Sequence, residues 1–288
     1  MKVSSKDVIS VNNFSFSYPQ TKKPAISSMN FTVKEGEFFC IVGANGAGKS
    51  TLCDSLVGLI PQYFLGTTKG QVLVNGQETT KQTVAELSLE IGLVFQNPFN
   101  QLSYTTSTVA EELAYGLGNH GIPRSEMLDR VAAVAKKMRI ESLLDRDPLT
   151  LSGGQIQRVA FGSTYILNPS ILVLDECTTQ LDPIGSEEIF TIIKQLNDEG
   201  VTVVMTDTET ERLSMYADRI LLLDNGLQMG VDKPQAIFAR EDLEKLNIST
   251  PLNYQLTQEL TKIGILDSPE FNQDIILEKI KEVENGYR

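Results

Sequence analysis

A chain of 288 residues with 37 acidic and 25 basic side chains has room for one large or two modest domains. Its net charge of -12 excludes a general binder of nucleic-acid backbones, which needs clustered Lys and Arg. No stretch approaches the ~20 continuous apolar residues of a membrane-spanning helix, and the first residues lack the apolar core of a secretion signal, so the expected location is the cytosol.

The segment Val8 to Val33 alternates apolar and polar residues between turn signals and reads as short antiparallel strands. Within it Phe14, Phe16 and Tyr18 fall on one side of a strand, and on spacing alone the rings belong to the core. The apolar run Phe38-Phe39-Cys40-Ile41-Val42 then leads into Gly43-Ala44-Asn45-Gly46-Ala47-Gly48-Lys49-Ser50-Thr51 and a helix-compatible stretch from Leu52 to Leu59. A buried strand, a turn with G-x-x-x-x-G-K-S spacing and a helix start form a phosphate-binding P-loop, in which backbone N–H groups face an anion. Glycines let the backbone curl around phosphate oxygens. Lys49 supplies charge near the β- and γ-phosphates of a nucleoside triphosphate, and Ser50 can ligate Mg²⁺. Asn45, Gly46, Gly48, Lys49, Ser50 and Thr51 are the ligand-binding candidates of this turn.

A hairpin with an Asn75-Gly76 turn and a short strand from Ile91 to Gln96 follow. From Thr108 to Arg139 the spacing becomes helical, clearest over Arg124 to Lys137, and reads as a helical insertion. Pro148 breaks the chain before Leu151-Ser152-Gly153-Gly154-Gln155, after which Ile156 to Leu167 is again helical. Ile171-Leu172-Val173-Leu174 fits a strand buried on both faces of a parallel sheet, with Asp175 and Glu176 at its C-terminal end, where open α/β sheets bind ligands. A helix from Ser186 to Glu199, a strand from Val201 to Met205, a helix near Glu209 to Tyr216, a strand from Arg219 to Leu223 and an Asp224-Asn225-Gly226 turn continue the α/β alternation. Beyond Asp232 the chain is polar and helical, with breaks at Pro251 and Pro269. Residues 1–232 and 233–288 are therefore expected as a main domain and a separate helical extension. Three cysteines with no C-x-x-C or Cys/His spacing are expected as reduced, partly buried thiols.

The P-loop, the Leu151-to-Gln155 stretch, the Ile171-to-Glu176 strand end and Thr179-Gln180-Leu181-Asp182 stand in the order and spacing of an ABC-transporter ATPase subunit, which the chain resembles from about Val8 to about Gly230. The resemblance implies an α/β P-loop NTPase of the ABC ATPase fold. Its parts would be a mostly parallel core sheet, an antiparallel N-terminal β subdomain, a helical subdomain at about 97–168 and a helical C-terminal extension. It also implies a head-to-tail dimer that closes on two ATP molecules and drives a membrane partner. Asp175 would hold Mg²⁺ with Ser50 and Gln96, and Glu176 would polarise the attacking water. Ser152, Gly153, Gly154 and Gln155 would cap the γ-phosphate of ATP on the opposite subunit, with Asp182 contributing nearby. Gln96 would sense γ-phosphate and Mg²⁺, and Tyr18 would stack on adenine, which turns it from a core residue into a ligand.

Phe95-Gln96-Asn97-Pro98-Phe99-Asn100-Gln101-Leu102, Thr178-Thr179-Gln180-Leu181-Asp182-Pro183 and the helical tail carry a narrower resemblance to the ATPase subunits of energy-coupling factor (ECF) transporters, importers of vitamins and of cobalt or nickel. What this implies is a peripheral location on the cytoplasmic face of the membrane. The partners would be a paralogous ATPase subunit (a homodimer being the alternative), a transmembrane coupling subunit and a substrate-binding membrane subunit, with no nucleic acid. The tail would be a dimerising element. One departure matters: the family usually places a histidine after the strand at Val201 to Met205, and counting puts that position at Thr208, or at Asp207 with the loop shifted by one. The only histidine, His120, is far along the chain and reads as a surface loop residue. Glu176 and Gln96, with Thr208 in the histidine's place, form the expected catalytic set, and the chain's own site is expected to turn over slowly. Alternatives are the ATPase subunit of another ABC transporter class, a mainly nucleotide-binding regulatory subunit, and a soluble ABC protein acting on nucleic acid.

Overall fold

Runs of consecutive apolar residues build the centre of the sheet, because strands covered on both faces have no solvated side to mark with polar residues. The computed structural model describes residues 6–207, 209–271 and 273–286. Its strands are β1 (Asp7–Ser17), β2 (Ile26–Lys34), β3 (Phe38–Val42), β4 (Thr67–Val74), β5 (Gln77–Glu78), β6 (Ile91–Val94), β7 (Ile171–Asp175), β8 (Thr202–Thr206), β9 (Arg219–Asp224) and β10 (Leu227–Asp232). Among the described residues they form one ten-stranded sheet in the order β5-β4-β1-β2-β10-β9-β3-β8-β7-β6. The five strands β9, β3, β8, β7 and β6 run parallel, with Phe38 opposite Val203, Leu172 opposite Val203 and Ile91 opposite Ile171. The strands β1, β2, β4 and β5 are antiparallel neighbours.

The two-residue period of the strands divides the core into two layers. Phe38, Cys40 and Val42 of β3, Leu172 and Leu174 of β7, and Val203 and Met205 of β8 face one apolar cluster. Phe39 and Ile41, Ile171 and Val173, and Val204 face the other, which the P-loop helix Lys49–Leu56 shares with β1, β2 and β4. The first cluster extends into a helical layer of Val109–Asn119, Arg124–Lys137 and Gly153–Tyr165. Thr108 and Glu111 cap the first of these reciprocally, each side chain accepting from the other's backbone N–H at 3.2 Å. Gly162 lets these helices approach, since a Cβ there would stand 3.0 Å from Leu113.

Arg124–Lys137 and the Asn75-Gly76 and Asn225-Gly226 turns occur as the sequence predicts, the turns with positive φ at both residues. β6 stops at Val94, two residues before the predicted end, because Pro98 opens a 3₁₀ turn over Pro98–Asn100. His120 ends the helix Val109–Asn119 and lies 3.2 Å from the Ser88 hydroxyl. The tail is helical over Pro234–Phe238, Leu252–Lys262 and Gln273–Gly286. Its Phe238, Ile248, Tyr254 and Phe271 belong to the same apolar cluster as the sheet, and the Phe271 ring stacks on Tyr254 at 5.1 Å. No helix among the described residues is long and apolar enough to cross a membrane.

Candidate active site

β3 delivers the chain to the P-loop at the C-terminal edge of the parallel strands. Two glycines there are required by geometry. A Cβ on Gly43 would stand 2.4 Å from the Leu223 carbonyl oxygen, and Gly48 adopts φ +106° with Ala25 O only 2.8 Å from where a Cβ would be. Lys49, the first helical residue, is buried, and its Nζ donates to Gly43 O at 2.9 Å and Ala44 O at 3.3 Å. The same ammonium pairs with Glu176 Oε1 at 2.9 Å.

Glu176 leaves β7 with φ +46°, a left-handed conformation unusual for a non-glycine residue and one that marks functional turns. Its N–H donates to the Thr206 carbonyl (3.1 Å) and hydroxyl oxygen (3.0 Å), and the Thr206 hydroxyl donates to Asp175 Oδ1 at 2.7 Å. The end of β8 therefore fixes both acids at the end of β7. Gln96, just beyond β6, donates its amide to Glu176 Oε2 at 2.8 Å, which leaves its own carbonyl oxygen to accept or ligate. Three strand ends and the P-loop thus converge on Glu176, with Lys49 and Gln96 on its carboxylate and Thr206 on its backbone.

These groups line a cleft of about 570 Å³ that also includes Tyr18, Asn45, Gly46, Ser50, Thr51 and Thr179. The Tyr18 hydroxyl lies 3.2 Å from that of Thr51, and its ring stands edge-on to Phe16 at 4.8 Å. Phe14 and Phe16 are core residues, as their alternation predicts, while Tyr18 sits beyond the end of β1 at the cleft. Asp54, one turn along the helix from Ser50, has its carboxyl pushed up to about 7 by burial and, second, by the Asp175 charge. Cys40, Cys53 and Cys177 are free and buried, and burial drives all three thiols upward, away from thiolate reactivity.

Of the residues singled out in the sequence, Tyr18, Asn45, Gly46, Gly48, Lys49, Ser50, Thr51, Gln96 and Glu176 come together in this cleft, with Asp175 held behind it. Ser152, Gly153, Gly154 and Gln155 do not. Ser152 and Gly153 are exposed at the start of the helix Gly153–Tyr165, and Gln155 is spent on the cap, its Oε1 accepting from Ser152 N–H at 3.0 Å. Asp182 is likewise outside the cleft and caps the helix Pro183–Asp198 by accepting from Gly185 N–H at 2.7 Å. Thr208 lies outside the described residues. Its neighbour Asp207 follows Thr206 directly, is 1% exposed, and accepts from the Thr178 hydroxyl and from Glu209 N–H at 3.0 Å. Sequence reasoning missed Thr179 on the cleft wall and Thr206 as the holder of Asp175. Nothing in a threonine at a strand end advertises such a role.

The family model described as ABC transporter matches residues 26–179, more than half of the chain. The chain belongs to the ABC transporter ATPase family. It is 40% identical over 276 residues to an ABC transporter ATP-binding protein of Pyrococcus abyssi, covering 95% of this chain and 98% of the relative. It is 36% identical over 277 residues to the energy-coupling factor transporter ATP-binding protein EcfA1 of Bacillus subtilis, covering 95% of this chain and 96% of the relative. Among solved structures it resembles cbiO1 from Clostridium perfringens, part of the ABC transporter complex cbiONQ, with a TM-score of 0.73 and 28% identity over 90% of this chain and 98% of that one. It also resembles the dimeric cassette MJ0796 bound to ADP and Pi, with a TM-score of 0.68 and 28% identity over 78% and 98% of the two chains. The ABC ATPase fold, and ATP hydrolysis coupled to transport, are thereby those of this chain's family.

The geometry of this ABC ATPase fits a nucleotide triphosphate. The P-loop turn is closed by Gly43 and Gly48, where a Cβ would collide with the Leu223 and Ala25 carbonyls, its lysine is buried with only backbone oxygens and one carboxylate for partners, and the cleft is large enough for several phosphates. The oxygen ligands on offer, the Ser50 hydroxyl, the Gln96 carbonyl and Asp175, suit a hard cation such as Mg²⁺ that keeps most of its water.

Proposed function

We propose that this chain is an ATPase subunit of an ECF-type importer of vitamins or transition-metal ions. It works at the cytoplasmic face of the membrane, paired with a second, different ATPase and coupled to transmembrane and substrate-binding subunits. The observation that carries the catalytic part of this reading is the convergence of Lys49, Gln96 and Glu176 in the P-loop cleft. The transporter class is supported by the similarity to EcfA1 and cbiO1 over most of the chain.

In this reading Lys49 exchanges its ion pair with Glu176 for phosphate oxygens, which frees the carboxylate to orient and polarise a water. Tyr18 stacks on the base. Mg²⁺, held by Ser50, Gln96 and Asp175, would neutralise charge on the phosphate oxygens. Ser152, Gly153, Gly154 and Gln155 serve the nucleotide of the paired ATPase, which accounts for their place outside this chain's own cleft, with Ser152 and Gly153 exposed. The helical tail contributes to the pairing surface.

Unequal pairing is supported by the residues after β8. Neither Thr208 nor Asp207 can donate a charge-assisted hydrogen bond as an imidazole does, a loss of roughly 1.5–3 kcal/mol where that bond is made. The chain's own site then turns over slowly and its Ser152 corner completes a faster one. Mass spectrometry of the membrane complex captured with this chain tests the assignment, with a second ATPase and at least one transmembrane chain as the expected catch. In that complex Thr208→His is expected to raise turnover; no gain, together with full activity of a homodimer, would remove the unequal pairing.

A further inference from the structure

We propose that Gln101 is a positioning residue for turnover, tying the loop that carries Gln96 to the helix that begins at the Ser152 corner. This role presupposes the proposed function for the chemistry it serves, but its structural half stands independently.

The 3₁₀ turn Pro98–Asn100 is capped by Asn97 Oδ1, which accepts from Phe99 N–H at 3.1 Å. It folds the chain back so that Gln101 returns to the end of β6. There Gln101 Oε1 accepts a long 3.4 Å bond from Phe95 N–H, and its Nε2 donates to Thr164 Oγ1 at 3.1 Å. Phe95 is the residue before Gln96, whose own amide holds Glu176 at 2.8 Å. Thr164 is buried in the last turn of the helix Gly153–Tyr165, and its hydroxyl lies 3.2 Å from Leu93 O and from Ala160 O. It comes this close to β6 because Gly92 has no side chain: a Cβ there would stand 2.5 Å from Thr164 Cγ2.

One amide therefore touches two parts of the candidate machinery. On one side is the backbone of the Gln96 loop. On the other is the end of a rod whose opposite end, about 18 Å away at 1.5 Å per residue, is the exposed Ser152 corner. A small tilt of the helix at Thr164 shifts that corner, and the same tilt pulls on Gln101 and so on Gln96 and Glu176. A purely local role would be simpler, since a half-buried glutamine can satisfy a turn amide without coupling anything. The two roles separate in experiment.

The variants are Gln101→Met, which keeps volume and removes both bonds, Thr164→Val, which removes the acceptor, the pair together, and Thr164→Ser, which keeps the hydroxyl. With the P-loop lysine of the paired ATPase replaced, so that this chain's own site is the one read, each of the first two is expected in the captured membrane complex to lower kcat about five- to tenfold, the size of one lost hydrogen bond, with KM for ATP held within about twofold. The double variant should fall no further than the worse single one, and Thr164→Ser should keep nearly normal turnover. Unchanged kcat in Gln101→Met, or losses that multiply in the double, would overturn the tie.

Amide hydrogen exchange of the nucleotide-free chain gives a readout that needs no turnover. Gln101→Met is expected to speed exchange both at Phe95 and Gln96 and in the last turn of the helix up to Tyr165. Acceleration confined to residues 95–101 would overturn the tie. A complex without Glu176-dependent turnover would defeat the proposed function instead, and exchange would still decide the role of Gln101.

Discussion

The P-loop cleft and the Ser152 corner are both glycine-bearing turns that open a helix, yet one is walled and the other bare. Around Lys49, two backbone carbonyls and Glu176, itself held by Gln96, fix the charge in place. At Gly153 nothing stands within 4 Å of where a Cβ would be, and at Gly154 only Leu181 does. A helix N-terminus carries partial positive charge wherever it lies, but a binding site also needs walls that exclude water. The cleft has its walls within the chain; under the proposed pairing the corner meets its walls on the other ATPase.

The largest break in this comparison comes from the walled side. Lys49→Ala removes the only cation that pairs with Glu176 among the described ion pairs and leaves the carboxylate facing where phosphate would sit. ATP affinity measured by calorimetry is expected to fall by about a hundredfold or more. Glu176→Gln keeps the shape and the Gln96 contact but removes the proposed base, so single-turnover hydrolysis at this chain's own site should drop about 10²–10⁴-fold with ATP affinity retained.

Smaller changes sharpen the picture. Tyr18→Ala is expected to weaken ATP binding about tenfold by equilibrium titration, the order of one lost base–aromatic stack, without changing single-turnover rate at saturation. The subtlest effect concerns Asp54. Its folded-state carboxyl titrates near 7 rather than at the ordinary 3.8, so the native chain holds a proton that the unfolded chain releases, and stability declines as pH rises through that window. Thermal melts without nucleotide or Mg²⁺ should show Asp54→Asn gaining on wild type from about pH 4 to about pH 7, holding that gain above, and matching wild type below the window.

Much of this was readable in the sequence because physics writes it locally. Ile171 to Leu174 had to be a doubly covered strand, and the spacing from Gly43 to Ser50 had to cradle an anion, whatever surrounded them. What was not readable is what long-range neighbours decide. Thr206 meets Asp175 across 31 residues of chain, and Gln101 meets Thr164 across 63. The tail's helices were visible from its prolines. The burial of Phe238, Tyr254 and Phe271 in the same cluster as the sheet was not, since a helix does not say which surface it will cover. Thr179 reached the cleft wall for the same reason, through the turn that follows Glu176.

Under the proposed pairing this cleft is half of one site and the bare corner is half of another. Gly154→Asp, which sets a carboxylate where that pairing puts a γ-phosphate from the other subunit, tests it most directly when nucleotide binding by the single chain and turnover by the captured complex are measured side by side. ATP affinity of the single chain is expected to stay within about twofold while turnover of the complex falls about tenfold or more. Equal turnover of the complex with and without the substitution, or hydrolysis at full rate by the single chain, would contradict it.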